Sequence, residues 1–138
     1  MVLIDTSVMI DFLRGLNSEK TKIMELILLR KIPFGISIFT YQELLQGCKD
    51  EKEFNKLLDY LSTQRIYHPP SDQAFYEGAA RLFFELRRKG VTIRSSIDLL
   101  IAMTAIENSL VLLHNDRDFD LIAQIVPQLK TDFTDAFA

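Results

Sequence analysis

Two rhythms of apolar residues alternate along this chain. Short apolar blocks at Val2 to Ile4, Phe34 to Ile38 and Leu110 to Leu113 read as buried strands, with Ile66 and Tyr67 as a further short extended piece. Between them apolar residues recur every three or four positions, the spacing of a helix that buries one face. Val8, Met9, Phe12 and Leu13 mark such a helix from Ser7, and others run from about Ser18 to Lys31, from Thr40 to Gln46, and from Glu51 to Ser62 with Phe54, Leu57, Leu58 and Leu61 on one face. Pro69 and Pro70 break the chain before a long helix from about Ser71 to Lys89, striped by Ala74, Phe75, Gly78, Ala79, Leu82, Phe83 and Leu86 and ended by Gly90. A helix from Ser95 to about Glu107 and a short one beginning near Asp118 complete the pattern. Strands separated by helices need crossover connections, so the expected fold is α/β: a central, mainly parallel sheet flanked by helices in three layers. Thr131 to Ala138, with Phe133 and Phe137, reads equally as an edge strand or as a segment buried against a partner.

With 138 residues, 48% of them hydrophobic, the chain can bury one core, and a single domain over residues 1–138 is expected. Its apolar runs, such as Leu26 to Leu29 and Leu99 to Met103, fall far short of the roughly 20 residues that cross a bilayer. Asp5 and Asp11 interrupt what would have to be a secretory signal, and Cys48 has no partner for an internal disulfide, so a cytoplasmic protein without membrane attachment is expected. Sixteen basic against nineteen acidic residues give a net charge of −3. That argues against holding nucleic acid by bulk electrostatics, although carboxylates that bind divalent cations would themselves make the count negative.

Four acids sit at equivalent places. Asp5 follows the first strand, Glu43 lies in "FTYQELLQG" after the second, Asp98 lies in the first turn of the helix in "RSSIDLLIAMTA", and Asp116 follows the last strand in "LLHNDRDF". The carboxyl ends of parallel strands share one edge, so these residues converge although far apart in sequence. Each has a structural explanation: Asp5 and Asp116 suit helix capping, and Thr40-x-x-Glu43 and Ser95-x-x-Asp98 match capping boxes. Capping, however, needs no carboxylate from every strand edge. Several like charges at one place destabilise a fold unless protonated or bound by cations, for which Mg²⁺ or Mn²⁺ suits all-oxygen ligands. Such an ion supports phosphodiester hydrolysis without a nucleophilic side chain. That suits a sequence with no G-x-S-x-G elbow and no H-E-x-x-H, and whose two histidines, His68 and His114, read as structural.

"LIDTSVMIDFLRG", "TYQELLQG", "SSIDLLIAMTA" and "LLHNDRDF", in this order over nearly the whole chain, resemble the four signature segments of PIN-domain ribonucleases, particularly the VapC toxins of toxin–antitoxin pairs. The resemblance implies a metal-dependent endoribonuclease in which Asp5, Glu43, Asp98 and Asp116 form an acidic quartet around Mg²⁺ or Mn²⁺. It matches Thr6 or Ser7 to the hydroxyl that assists the first acid, and makes Asp118 a secondary acid that either helps position water or metal or caps the next helix. It also implies an RNA substrate, a homodimer and a cognate antitoxin. His114 and Asn115 stand where many relatives carry Thr or Ser. Residues 49–94 carry no alignable motif, and substrate choice is expected there. Arg94 and Arg117 are the candidates for RNA contact, while the neighbouring Arg87, Arg88 and Lys89 equally suit a helix C-terminus. Asp11 reads as a solvated helix residue.

Other phosphoryl chemistries fit less well. A haloacid-dehalogenase-type phosphatase needs a second acid two residues after the first, where Ser7 stands, and a receiver-like phosphoacceptor needs adjacent early acids. The remaining alternative is a PIN-like fold that binds RNA or protein without cutting.

Overall fold

The computed structural model describes residues 1–133. Four parallel strands, β1 (Val2–Ile4), β2 (Phe34–Ser37), β3 (Ile66–Tyr67) and β4 (Val111–Leu113), lie in the order β3-β2-β1-β4. β1 is therefore interior: Leu3 stands opposite Gly35 on one side and Leu112 on the other. Side chains alternate across the sheet as period two requires. Leu3 and Leu112 face a core built with α5 (Gln73–Arg88), α6 (Ser96–Glu107) and α7 (Arg117–Ile125). Val2, Ile4 and Leu113 face a second core built with α1 (Thr6–Leu13), α2 (Glu19–Leu29), α3 (Ile38–Gln46) and α4 (Glu51–Leu61). The expected three layers are thus present, and among the described residues no helix is long and apolar enough to cross a membrane.

Element boundaries shift where a cap overrides the apolar rhythm. Ser37 ends β2 and caps α3 by accepting the Thr40 N–H at 3.0 Å, so the helix starts at Ile38, which hydropathy alone had assigned to the strand. Asp72 likewise caps α5 after the Pro69-Pro70 break, and Asp116 caps α7, which begins at Arg117, one residue before the expected Asp118. Gly90 does adopt the left-handed conformation that ends α5, at φ +82°. Three stripe positions are more open than the pattern predicts: Leu13 and Phe54 are exposed, as is Ala74 at the start of α5. Of the C-terminal segment, Lys130 bridges Val111 at the outer edge of β4, and Phe133 buries in the second core. The remaining part of that expectation, with Phe137, lies outside the described residues.

Gly35 marks the tightest packing in the sheet. A Cβ there would lie 2.7 Å from both the Arg65 carbonyl oxygen and Tyr67 Cε2. The carbonyl cannot retreat, because it accepts the Ile36 N–H at 3.0 Å, and the Tyr67 ring is held under the Arg65 guanidinium at 4.8 Å. Gly35→Ala is accordingly expected to destabilise the fold by about 1–3 kcal/mol through overpacking. Chemical denaturation checks this, with the midpoint lowered.

Candidate active site

The corner after β1 carries two adjacent hydroxyls with separate duties. Asp5 is 4% exposed and caps α1: its Oδ2 accepts the Ser7 N–H at 3.0 Å and the Ser7 hydroxyl at 2.6 Å. Ser7 Oγ in turn accepts the Asn115 N–H at 3.0 Å, which ties this corner to the loop after β4. Thr6 turns to α3 instead, its hydroxyl donating to Glu43 Oε1 at 2.7 Å. The single assisting hydroxyl expected at Thr6 or Ser7 is therefore divided here, Ser7 bonding Asp5 and Thr6 bonding Glu43.

The loop after β4 places Asp116 beside that corner. Asp116 caps α7, its Oδ1 accepting the Asp118 N–H at 2.9 Å and the Arg94 Nη2 donor at 3.4 Å, so that Oδ2 takes part in neither contact. His114 is 3% exposed and its Nδ1 accepts the Asp116 N–H at 3.2 Å, while its Nε2 lies 3.5 Å from Asp120. Burial lowers its pKa, so the ring is a neutral acceptor that orients Asp116. This is the structural role expected of His114.

Two capping boxes anticipated in the sequence are not built. Thr40-x-x-Glu43 fails because Ser37 is the cap, and Glu43, in mid-helix, reaches Thr6 rather than a backbone N–H. Ser95 does cap α6, accepting the Ile97 N–H at 3.3 Å, but the Asp98 carboxyl makes no hydrogen bond among the described residues. Asp11 is half-buried and accepts from Asn115 Nδ2 at 3.5 Å, so it is less solvated than its helical position suggests.

Charge reveals what the four acids share. Burial, followed by repulsion from Asp116, Asp5, Asp118 and Glu43, pushes Asp98 up to about 7. Asp5 is also raised, chiefly by burial, against the lowering effect of its Ser7 bonds. The side chains are not closed into a cage: among the described residues no three acidic, His or Cys side chains stand ready to hold a metal ion. Their chemistry nevertheless fits a hard cation that keeps most of its waters and takes one or two carboxylates, the habit of Mg²⁺. An unbonded, half-buried Asp98 facing four other carboxylates is the donor such an ion neutralises.

The two arginines singled out in the sequence differ. Arg94 donates through Nε and its backbone N–H to Asp118 Oδ2, at 3.3 and 3.2 Å, and the Asp118 bond raises its pKa further. Asp118, 5% exposed, is therefore occupied in anchoring Arg94. Arg117 is exposed and forms no ion pair among the described residues. Sequence reading missed Ser37, which caps α3 and contacts Thr40, and it missed the tasks of Thr40 and Asn115, which contact the hydroxyls of Thr6 and Ser7 that in turn bond Glu43 and Asp5. It also missed the groove of about 400 Å³ beside Glu43, lined by Leu13, Arg14, Lys56, Leu57 and Tyr60 among others.

Known proteins resemble this chain in sequence and fold. The family model described as PIN domain matches residues 2–125. Ribonuclease VapC11 of Mycobacterium tuberculosis is 30% identical over 129 residues, covering 91% of this chain and 93% of its own. The crystal structure of VapBC2 from Rickettsia felis bound to a DNA fragment of their promoter superposes with a TM-score of 0.69 at 26% identity, over 94% of this chain and 96% of the other. A toxin–antitoxin complex from Klebsiella pneumoniae gives 0.66 at 25% identity, over 95% and 97%. From the first strand to the last helix, then, this chain belongs to the PIN-domain family, among the VapC ribonucleases.

Proposed function

We propose that this chain is the toxin ribonuclease of a toxin–antitoxin pair, a Mg²⁺- or Mn²⁺-dependent endoribonuclease that acts in the cytoplasm as one 138-residue domain. Its partners are an RNA substrate, a cognate antitoxin protein and a second copy of itself. The ribonuclease relative and the toxin–antitoxin structures support the class. The observation that carries the reading is the meeting of Asp5, Glu43, Asp98 and Asp116 at one sheet edge, where burial first and then repulsion from Asp116, Asp5, Asp118 and Glu43 push Asp98 up to about 7.

Asp5, Asp98 and Asp116 would hold the ion, with Glu43 completing the set. Bound there, the ion supplies Lewis-acid chemistry, an acidified water and neutralised phosphodiester oxygens. The chain's own residues prepare the place. Ser7 and Thr6 each fix one carboxylate oxygen, His114 holds the Asp116 backbone, and Asp98, raised to about 7, carries a proton part of the time near neutral pH, which a bound cation would disfavour. Asp118 stands behind the four as the anchor of Arg94. Arg117, exposed next to Asp116, is placed to meet a phosphate, and the groove with Arg14, Lys56 and Tyr60 gives the stretch from residue 49 a surface beside Glu43 on which to select RNA.

Asp5→Asn is expected to abolish RNA cleavage with either ion, and EDTA to abolish it in the unchanged protein; gel assays on varied RNAs check both. Cleavage persisting in EDTA would overturn the mechanism, and RNA binding without cleavage would favour an interaction module.

A second expectation follows from Asp98. The unfolded chain releases this proton near 3.8, the folded chain near 7. Between those values the folded state binds more protons, so its stability falls as pH rises and levels off above about 7. Asp98→Asn removes that term. In EDTA the variant's melting temperature should therefore gain on the unchanged protein's from pH 4 to 7, while Mn²⁺ should raise the unchanged protein's more. A variant that melts lower at pH 7 would instead mark Asp98 as a cap of α6, worth about 0.5–2 kcal/mol.

A further inference from the structure

Behind Glu43 runs a chain of hydroxyls that the cutting reaction does not itself require. Thr6 Oγ1 lies 2.7 Å from Glu43 Oε1 and 3.1 Å from Thr40 Oγ1, and Ser37 Oγ lies 3.2 Å from Thr40 Oγ1. Ser37 and Thr40 are both fully buried. Each hydroxyl owns one proton, which decides the direction of every bond. An ionised Glu43 can only accept, so Thr6 spends its proton there. The Thr6–Thr40 contact must then be donated by Thr40, and the Thr40–Ser37 contact by Ser37. Ser37 Oγ, finally, accepts the Thr40 N–H at 3.0 Å, so the row starts from a backbone donor fixed in the first turn of α3.

Run the other way, the row leaves a buried group stranded. If Thr6 donated to Thr40, Thr40 would donate to Ser37, and Ser37 would accept twice and have no partner in the row for its own proton, at a fully buried position. Buried polar groups are rarely left so. The arrangement therefore has one satisfied direction, which ends on Oε1 of Glu43 and leaves Oε2 outside it.

We propose that Ser37 and Thr40 are positioning residues, which act through Thr6 to fix the Glu43 carboxylate with Oε1 turned to the hydroxyl row and Oε2 free for the acidic edge. The inference rests on the reading of Glu43 as a working carboxylate. It assigns a task to two residues at the end of β2 and start of α3 that touch neither substrate nor ion. Side chains behind a functional carboxylate typically change ion affinity or activity by about 10–100-fold when lost.

Thr40→Val keeps the volume and removes the hydroxyl; Thr40→Ser keeps the hydroxyl. Both variants, with Glu43→Gln and the unchanged chain, are titrated with Mn²⁺ by calorimetry and assayed for single-turnover RNA cleavage below their melting transitions. Expected for Thr40→Val are about tenfold slower cleavage and weaker Mn²⁺ binding, with Thr40→Ser restoring both to within about twofold, since it keeps the donor. Thr40→Val that binds and cuts normally while Glu43→Gln is inactive overturns the positioning role and leaves the site reading intact; so does Thr40→Ser as impaired as Thr40→Val. Glu43→Gln with unchanged cleavage overturns the reading of Glu43 and this inference with it. Should Thr40→Val not fold, Thr6→Val tests the next link at a half-buried position, and normal Mn²⁺ binding and cleavage there overturn the proposal equally.

Discussion

The parallel pairing of β1 with a strand on each side is the constraint on which the rest depends. Three buried residues, Val2, Leu3 and Ile4, hydrogen-bond between β2 and β4, and all three strands point their carboxyl ends the same way. Asp5 must then emerge where α3 departs from β2 and where the loop to Asp116 leaves β4; its own N–H donates to the Leu113 carbonyl at 2.9 Å. The fold thus gathers like charges at one edge as a geometric consequence of its topology. Asp98 is raised by burial first and by this gathering of charge second, which is the energetic penalty of the edge.

That penalty is tolerated because capping and chemistry draw on different atoms of the same side chains. Asp5 caps with Oδ2 and Asp116 with Oδ1, each to an N–H two residues on. Arg94 brings a positive charge to Asp116 and Asp118 without entering the buried corner, its side chain remaining 76% exposed. On the proposed reading, an acid at a strand-to-helix junction in this molecule is at once a cap and part of a functional edge. A helix N-terminus satisfies one oxygen and, by doing so, aims the other.

The layer order, the parallel sheet and the convergence of four acids were legible in the sequence, because the continuous apolar block of Val2 to Ile4 marks a strand buried on both faces and helical spacing elsewhere fixes which helix faces are buried. What could not be read was the partner of each polar group. Thr40-x-x-Glu43 has the spacing of a capping box, yet Ser37 precedes it and competes for the same N–H, and only the packing of α1 against α3 brings Thr6 within reach of Glu43. Ser95-x-x-Asp98 fails for a related reason: Ser95 bonds Ile97, and Asp98 is left facing its fellow acids. Likewise nothing local ties Ser7 to Asn115, which are 108 residues apart. Long-range polar contacts carry no period, so they leave no trace in hydropathy.

The wide spacing of the four acids also has a meaning in time. A chain emerging from a ribosome presents Asp5 and Glu43 early, but β4 and Asp116, which close the edge beside β1, come after more than a hundred residues have been added. Pairing of Val2 with Val111 joins the first and last described strands in sequence, so this contact forms only once the residues between them are free to fold. A nascent or prematurely ended product therefore lacks a complete edge, whatever structure its first helices adopt. For a protein whose relatives carry the name of ribonucleases, the topology delays the full set of carboxylates until β4 and the loop after it have been made.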